Sequence, residues 1–177
     1  LGDARNRGAD AGEMGNFLPT LDLGAGRTAK SVAVGRSHTC AILENNNVKC
    51  WGYNDAGQLG LEDGNSRGDD AGEMGDFLAT VNLGTGRTAK ALALGDWHSC
   101  AILDTDEVKC WGYNFYGQLG LGDTLGRGDD AGQMGDSLVT VSLGAGRTAK
   151  EIGAVMGHTC AILDNNTVKC WGRNNAG

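Results

Sequence analysis

The chain writes one 60-residue unit three times. Cys40, Cys100 and Cys160 stand 60 residues apart, as do Cys50, Cys110 and Cys170, and His38, His98 and His158. The block HTCAILENNNVKCWG at 38–52 returns as HSCAILDTDEVKCWG at 98–112 and as HTCAILDNNTVKCWG at 158–172. Upstream, LGAGRTAK at 23–30 returns at 83–90 and 143–150 with one change. A fixed period of this length marks a repeat architecture, in which each unit buries its apolar face against its neighbours. The periods run 1–60, 61–120 and 121–177. A residue present in every copy is expected to hold the repeat together, so function is to be sought where the copies differ or on the surface they build jointly.

Composition narrows the classes. With 31 glycines there is still no G-x-y period, so collagen is excluded, and enough Val, Leu, Ile and Trp are present to argue against disorder. A net charge of −7 speaks against nucleic acid as the partner, because phosphate binding needs a basic stripe, and one Arg–Thr–Ala–Lys per repeat is too thin for one. No run of 18 apolar residues exists to span a membrane. The first residue is Leu1 and no signal sequence is visible, so the chain reads as a processed or excised piece.

Each repeat holds one pair of cysteines with nine residues between them. The stretches 38–43 and 48–52 are short and β-prone, and they flank the turn residues Glu44, Asn45 and Asn46, which is a hairpin signal. If Leu43 pairs with Asn47, Cys40 falls opposite Cys50. Opposed Cβ atoms lie about 4.5–5.5 Å apart, slightly wide for a disulfide but reachable with local twist. Zinc held by His38, Cys40 and Cys50 is the rival, but its usual C-x2–4-C spacing and fourth ligand are missing. The disulfides Cys40–Cys50, Cys100–Cys110 and Cys160–Cys170 are expected, and with them a place outside the reducing cytosol.

Four strand-like stretches occur per copy, in the first at Leu18–Leu23, Lys30–Val34, His38–Leu43 and Val48–Gly52. Glycine-rich breaks separate them. This pattern predicts an all-β fold of propeller-type blades, each of four antiparallel strands, or else a β-solenoid layer. Asp69–Gly75 is expected to form one helical turn at most, given its two glycines. The third copy carries Ala154-Val155 where the others have Val34-Gly35 and Leu94-Gly95, so its turn is expected to be built around Gly153 or Gly157.

SVAVGRSHTCAILENNNVKCWGYNDAGQLG at 31–60 resembles the repeat of the regulator of chromosome condensation family: an aliphatic strand ending in Gly, then His, a turn, Val-x-x-Trp-Gly, Asn and Gly-Gln-Leu-Gly. The stretch 91–120 fits equally well, and the third copy stops before its Gln-Leu-Gly. The resemblance implies four-stranded blades arranged radially, about seven to a closed propeller. The cysteine-paired form is similar to versions in secreted and surface proteins. The family's founding activity is nucleotide exchange on a nuclear GTPase with chromatin binding. The acidic balance, the cysteine pairs and the uniform repeats argue against its transfer here. Other members are binding scaffolds, including inhibitors of extracellular enzymes.

The three histidines could form a ring of ligands or general bases, but their place inside the repeat motif points to hydrogen bonds that tie each blade together. No nucleophile unique to one copy pairs with them, so no catalytic residue and no enzyme is expected. Asp69, Asp70, Glu73 and Asp76, with Asp129, Asp130 and Asp136, offer oxygens to calcium without the spacing of its helix–loop–helix site; solvated loop charge is the expectation, with no cofactor and no metal. Arg-Gly-Asp at 67–69 and 127–129 is explained by duplication. Asn165-Asn166-Thr167 is a glycosylation sequon at a predicted turn. Among the positions that vary between copies (Asp55-Ala56, Phe115-Tyr116, Asn175-Ala176), Phe115 and Tyr116, with Trp97, are candidate binding anchors.

The reading that results is a non-catalytic extracellular or cell-surface scaffold, structural or self-associating as part of a fibre or coat. A propeller-face binding module or inhibitor of an extracellular protein is the alternative, and a nucleotide exchange factor the weakest. Its partner is expected to be protein, either copies of itself or further repeats of the same chain. Leu1 aligns with Leu61 and Gly177 with Gly117, and three blades without polar caps would leave faces and edges open.

Overall fold

The computed structural model describes residues 2–175; Leu1, Ala176 and Gly177, on which the alignment of the ends rests, lie outside the described residues. Nine strands form three antiparallel sheets of three. β1 (Ala29–Val34), β2 (His38–Leu43) and β3 (Val48–Gly52) make the first. The second is β4 (Ala89–Leu94), β5 (His98–Leu103) and β6 (Val108–Gly112), and the third is β7 (Ala149–Val155), β8 (His158–Leu163) and β9 (Val168–Gly172). In each sheet the middle strand is the middle of the sequence order, so each is a simple meander. β4 packs on β1 and β2, and β7 on β4 and β5, which sets the sheets side by side as successive blades.

The hairpin register is the one the spacing predicts. Leu43 N–H donates to Asn47 O across the turn, with Asn46 at the left-handed φ of 66°. Cys40 then faces Cys50, and likewise Cys100 faces Cys110 and Cys160 faces Cys170. All three pairs are disulfides, with Cα atoms 4.0–4.1 Å apart. This approach is closer than an ordinary opposed pair, because the cysteines occupy the narrow, non-hydrogen-bonded rungs of the ladder.

The expected four-stranded sheet is a three-stranded ladder with a looser fourth edge. Leu18–Leu23 and its equivalents form no ladder. The segment 78–83 instead attaches to the preceding blade by one bond, Val81 N–H to Val48 O at 2.8 Å, and Val141 repeats this on Val108. Leu78, Val81 and Leu83 are nevertheless buried. Arg67 adds a single bridge to Gly52, and Arg127 to Gly112. Each blade is therefore finished by chain from the next sequence period.

One local expectation is corrected and another, a third-copy turn at Gly157, is met. The helical turn placed at Asp69–Gly75 lies at Gly75–Phe77 as a 3-10 turn, because Gly72 and Gly75 both take positive φ and break the chain before it. In the third copy β7 runs one residue longer and Val155 pairs with His158. The turn there is Met156–Gly157, with Met156 at φ 49°, a conformation a methionine adopts only under tertiary constraint. In the other copies glycine is needed for a different reason: a Cβ on Gly35 would lie 2.6 Å from the His38 ring, and one on Gly95 2.1 Å from that of His98.

The core lies between blades. Cys40, Ile42, Val48 and Cys50 of the first pack with Val81, Leu83, Leu94, Ala101, Leu103 and Trp111 of the second. The second presents Cys100, Ile102, Val108 and Cys110 to Val141, Leu143, Ala149, Ala161 and Leu163 of the third. Hydrogen bonds cross this interface from blade to blade. The Gln58 carbonyl accepts Ser99 Oγ at 2.8 Å and Trp111 Nε1 at 3.0 Å, and the Gln118 carbonyl accepts Thr159 Oγ1 at 3.0 Å and Trp171 Nε1 at 2.9 Å. Lys49 Nζ reaches the carbonyls of Leu23 and Gly75 at 2.9 and 2.7 Å, and Lys109 those of Leu83 and Gly135. Burial pushes both lysines down, opposed by Asp76 and Asp22 at Lys49 and by Asp136 and Glu107 at Lys109.

The histidines tie blade to blade. His38 Nε2 lies 2.9 Å from Ser99 Oγ, and His98 Nε2 lies 2.9 Å from Thr159 Oγ1. Each hydroxyl spends its proton on a Gln carbonyl, so it accepts from the imidazole, which fixes the Nε2–H tautomer and leaves Nδ1 bare and without a partner. Protonating that buried nitrogen would create a donor with nothing to meet it. Burial accordingly lowers His38 and His98 from 6.5 to about 4, with the neighbouring histidines contributing at His98.

Two expected outcomes follow. Non-reducing peptide mapping should recover the three pairs, and reduction should cost about 2–3 kcal/mol per pair, read as a fall in the urea midpoint. Free thiols would refute the pairing. Because the folded histidines hold protons more weakly than the unfolded ones, their contribution to stability is full above pH 6.5 and lost as pH falls through about 4. The slope should approach about 1.4 kcal/mol per pH unit for each histidine, and His98→Ala should flatten it while lowering stability at pH 7 by about 1–3 kcal/mol.

Candidate functional site

The motif that follows β3 and β6 builds a hydrogen-bonded loop with a free tip. Asn114 Oδ1 accepts Leu119 N–H at 3.0 Å, and its Nδ2 donates to the carbonyls of Asp123 and Leu125, both at 3.0 Å. Gln118 Oε1 accepts Tyr116 N–H at 2.9 Å. Asn54 and Gln58 do the same in the first copy. The fixed residues are consumed by the loop itself, and the tip, 55–56 in one copy and 115–116 in the next, is left free to differ.

In the second copy the tip carries Phe115 and Tyr116, both exposed. They meet Tyr113 and Trp97 in one cluster. Trp97 stands edge-on to Tyr113 at 5.5 Å between centroids, Tyr113 stacks on Phe115 at 6.3 Å, and Phe115 stands edge-on to Tyr116 at 5.2 Å. Such offset and edge-to-face pairs are the favoured aromatic geometries. An arginine from each neighbouring blade closes the cluster: Arg36 lies over Trp97 at 6.0 Å and Arg173 over Tyr116 at 5.2 Å. Arg36 also approaches Asp96 at 3.8 Å. A groove of about 280 Å³ runs along this edge, lined by residues of all three copies.

Sequence reasoning placed Trp97, Phe115 and Tyr116 here and missed Arg36, Tyr113 and Arg173. A signal was available. Positions 36, 96 and 156 read Arg, Asp and Met, and positions 37, 97 and 157 read Ser, Trp and Gly, so this strip differs in every copy.

The remaining candidates have structural duties. Glu73 accepts Gly68 and Asp70 N–H, and Asp136 accepts the N–H and hydroxyl of Thr85. These bonds hold both carboxyls below the ordinary range, at Glu73 against an opposing effect of burial. Among the described residues no cluster of three metal-ligating side chains forms. In the Arg-Gly-Asp segments Arg67 pairs with Asp63 at 2.6 Å and Arg127 with Asp123 at 2.7 Å, so both arginines belong to the loop that bridges to the blade edge. Asn165 is exposed in its turn, where its Oδ1 accepts Thr167 N–H and Oγ1.

The regulator of chromosome condensation (RCC1) repeat matches residues 29–58, 89–118 and 151–177. The ultraviolet-B receptor UVR8 of Arabidopsis thaliana is 34% identical over 100 residues, 55% of this chain and 20% of that protein. The human E3 ubiquitin-protein ligase HERC2 is 29% identical over 150 residues, covering 84% of this chain and 3% of the ligase. The solved structure of Prp20p from Saccharomyces cerevisiae superposes with a TM-score of 0.58 at 24% identity, over 82% of this chain and 32% of Prp20p. The chain thus spans about a third or less of the length of these relatives. The repeat match, the three like sheets and the superposition agree: the chain belongs to the RCC1 repeat family.

Proposed function

We propose that the chain is a non-catalytic extracellular scaffold whose blades stack on further copies of the same repeat. One observation carries this reading: its two outermost faces are the two halves of the interface seen twice inside it. On the third blade Val168 is 62% exposed, whereas Val48 and Val108 are fully buried under the next blade. Cys160, Cys170 and Trp171 line an open groove of about 580 Å³ there. On the first blade Val34 is 70% exposed against 6% for Leu94, and Leu21 40% against 6% for Val81. Trp51 and Thr39, whose counterparts Trp111 and Ser99 reach the Gln58 carbonyl, stand half-buried on that face. A head-to-tail contact of this kind closes into a ring or continues as a filament. The repeat that fills it comes from a second copy or from the same polypeptide.

The setting outside the cytosol is supported by the disulfides, with no free cysteine among the described residues, and an exposed Asn165 would accept a glycan there. Protein binding is in keeping with Prp20p, whose binding to Gsp1p and histones its structure's description names. Nucleotide exchange is not proposed: two of the three histidines, His38 and His98, are engaged in tying blade to blade.

Light scattering and electron microscopy of the oxidised chain should show rings or filaments, and Val34→Asp or Val168→Asp should shift the population to single chains. A stable monodisperse three-blade monomer would overturn the reading. Catalysed nucleotide release from a GTPase would overturn its non-catalytic part.

A further inference from the structure

We propose that the groove between Arg36, Trp97, Tyr116 and Arg173 is a docking site for an acidic peptide segment bearing an aromatic anchor. It adjoins the open face of the third blade, with which it shares Met156 and Arg173, and peptide binding there is read separately from stacking. Three observations carry it.

The groove is assembled from all three copies, mostly where they diverge. Arg36 comes from the first, the aromatic cluster from the second, and Met156, Gly157 and Arg173 from the third. The small residue at 157 matters. A Cβ there would lie 3.1 Å from the Tyr116 ring, so the glycine gives the ring its place and leaves the groove beside it open. A side chain at that position equivalent to Trp97 would fill it.

The size selects a side-chain anchor. About 280 Å³ falls just below the range of small-molecule sites, roughly 300–1,000 Å³, and suits one inserted residue. Phe115, 65% exposed, extends the apolar rim, and exposed Trp, Tyr and Arg are the residue types that dominate binding energy at protein interfaces.

The charge selects an anion. In a chain of net charge −7, this groove is lined by two arginines against one carboxylate, Asp96, a local excess of positive charge. Asn175, with its amide oxygen turned to the guanidinium, accepts Nε and Nη2 of Arg173 at 3.0 and 2.9 Å, which presets the plane of the fork over Tyr116. Among the described residues Arg173 makes no ion pair, and Arg36 has only the long approach to Asp96. Planar guanidinium groups favour carboxylates, bound two-pronged. Their position over Trp97 and Tyr116 also covers the ring faces on which a sugar would stack, so a carbohydrate ligand is disfavoured.

A usable probe lies in the chain itself: residues 68–78, GDDAGEMGDFL, combine four carboxylates with a phenylalanine that is 83% exposed in place. Fluorescence anisotropy of this labelled peptide against the oxidised chain should show saturable binding that weakens as salt is raised. Arg36→Ala and Arg173→Ala should each weaken it roughly ten-fold, as should Phe→Ala in the peptide. Gly157→Trp, which fills the groove, should abolish it, and an unchanged urea midpoint for Arg173→Ala would show that the fold is intact. The proposal is overturned if the peptide does not bind, if a Lys-for-Asp/Glu version binds equally, if both arginine variants bind as the parent does, or if a soluble glucan oligosaccharide binds the groove in its place.

Discussion

The Gln58 and Gln118 carbonyls are the points on which the three blades hang. Each accepts an indole and a hydroxyl from the following blade, and each hydroxyl in turn receives a proton from the histidine of the blade before. The result is a buried chain of hydrogen bonds inside an apolar seam, running from imidazole Nε2 to hydroxyl to carbonyl. Its members cannot be exchanged one at a time, because removing any one leaves a buried partner unmet. The disulfide sits in the same seam, covered by the next blade. A blade therefore completes its polar accounting only in the presence of a neighbour, which is why stability here is a property of pairs of repeats.

The same dependence explains what the sequence disclosed. Strands, hairpin register and cysteine pairing were legible because they are local: Leu43, Asn47 and the nine intervening residues of each pair fix them within one hairpin. The fourth edge of the blade was misplaced because it is not local. Leu18–Leu23 looks like a strand of its own repeat, yet its counterpart 78–83 serves the blade before it with a single bond. The role of Lys49 and Lys109 was not legible, because only the fold shows that their ammonium groups bridge the carbonyls of two adjacent loops. The hydroxyl alternation Thr39, Ser99, Thr159 was a readable trace of the node, since a position that accepts Thr or Ser and nothing else requires an Oγ.

Departures from the repeat are as informative as its constancy. Gly35 and Gly95 are dictated by the imidazole against their Cα, with no Cβ space available. The third copy gives up this glycine: β7 gains a residue and Met156 takes the left-handed turn. The exchange leaves Gly157 beside Tyr116, so a change that costs backbone comfort in the third blade creates room on the face it shares with the second.

That separation is the physical basis for assigning recognition to one strip. Positions 36, 37, 55 and 56 and their counterparts lie outside the carbonyl node, the seam and the loop-closing bonds of Asn54 and Gln58, so they vary without disturbing the fold. Freedom to vary does not by itself fill such positions with large aromatic side chains, which a solvated loop has no reason to hold exposed. Trp97, Phe115 and Tyr116 occur together in one copy, around a tyrosine that the first copy also has, and they are capped by arginines found at those two positions in the adjoining copies. Three blades with one scaffold thus compose a surface that no single blade contains.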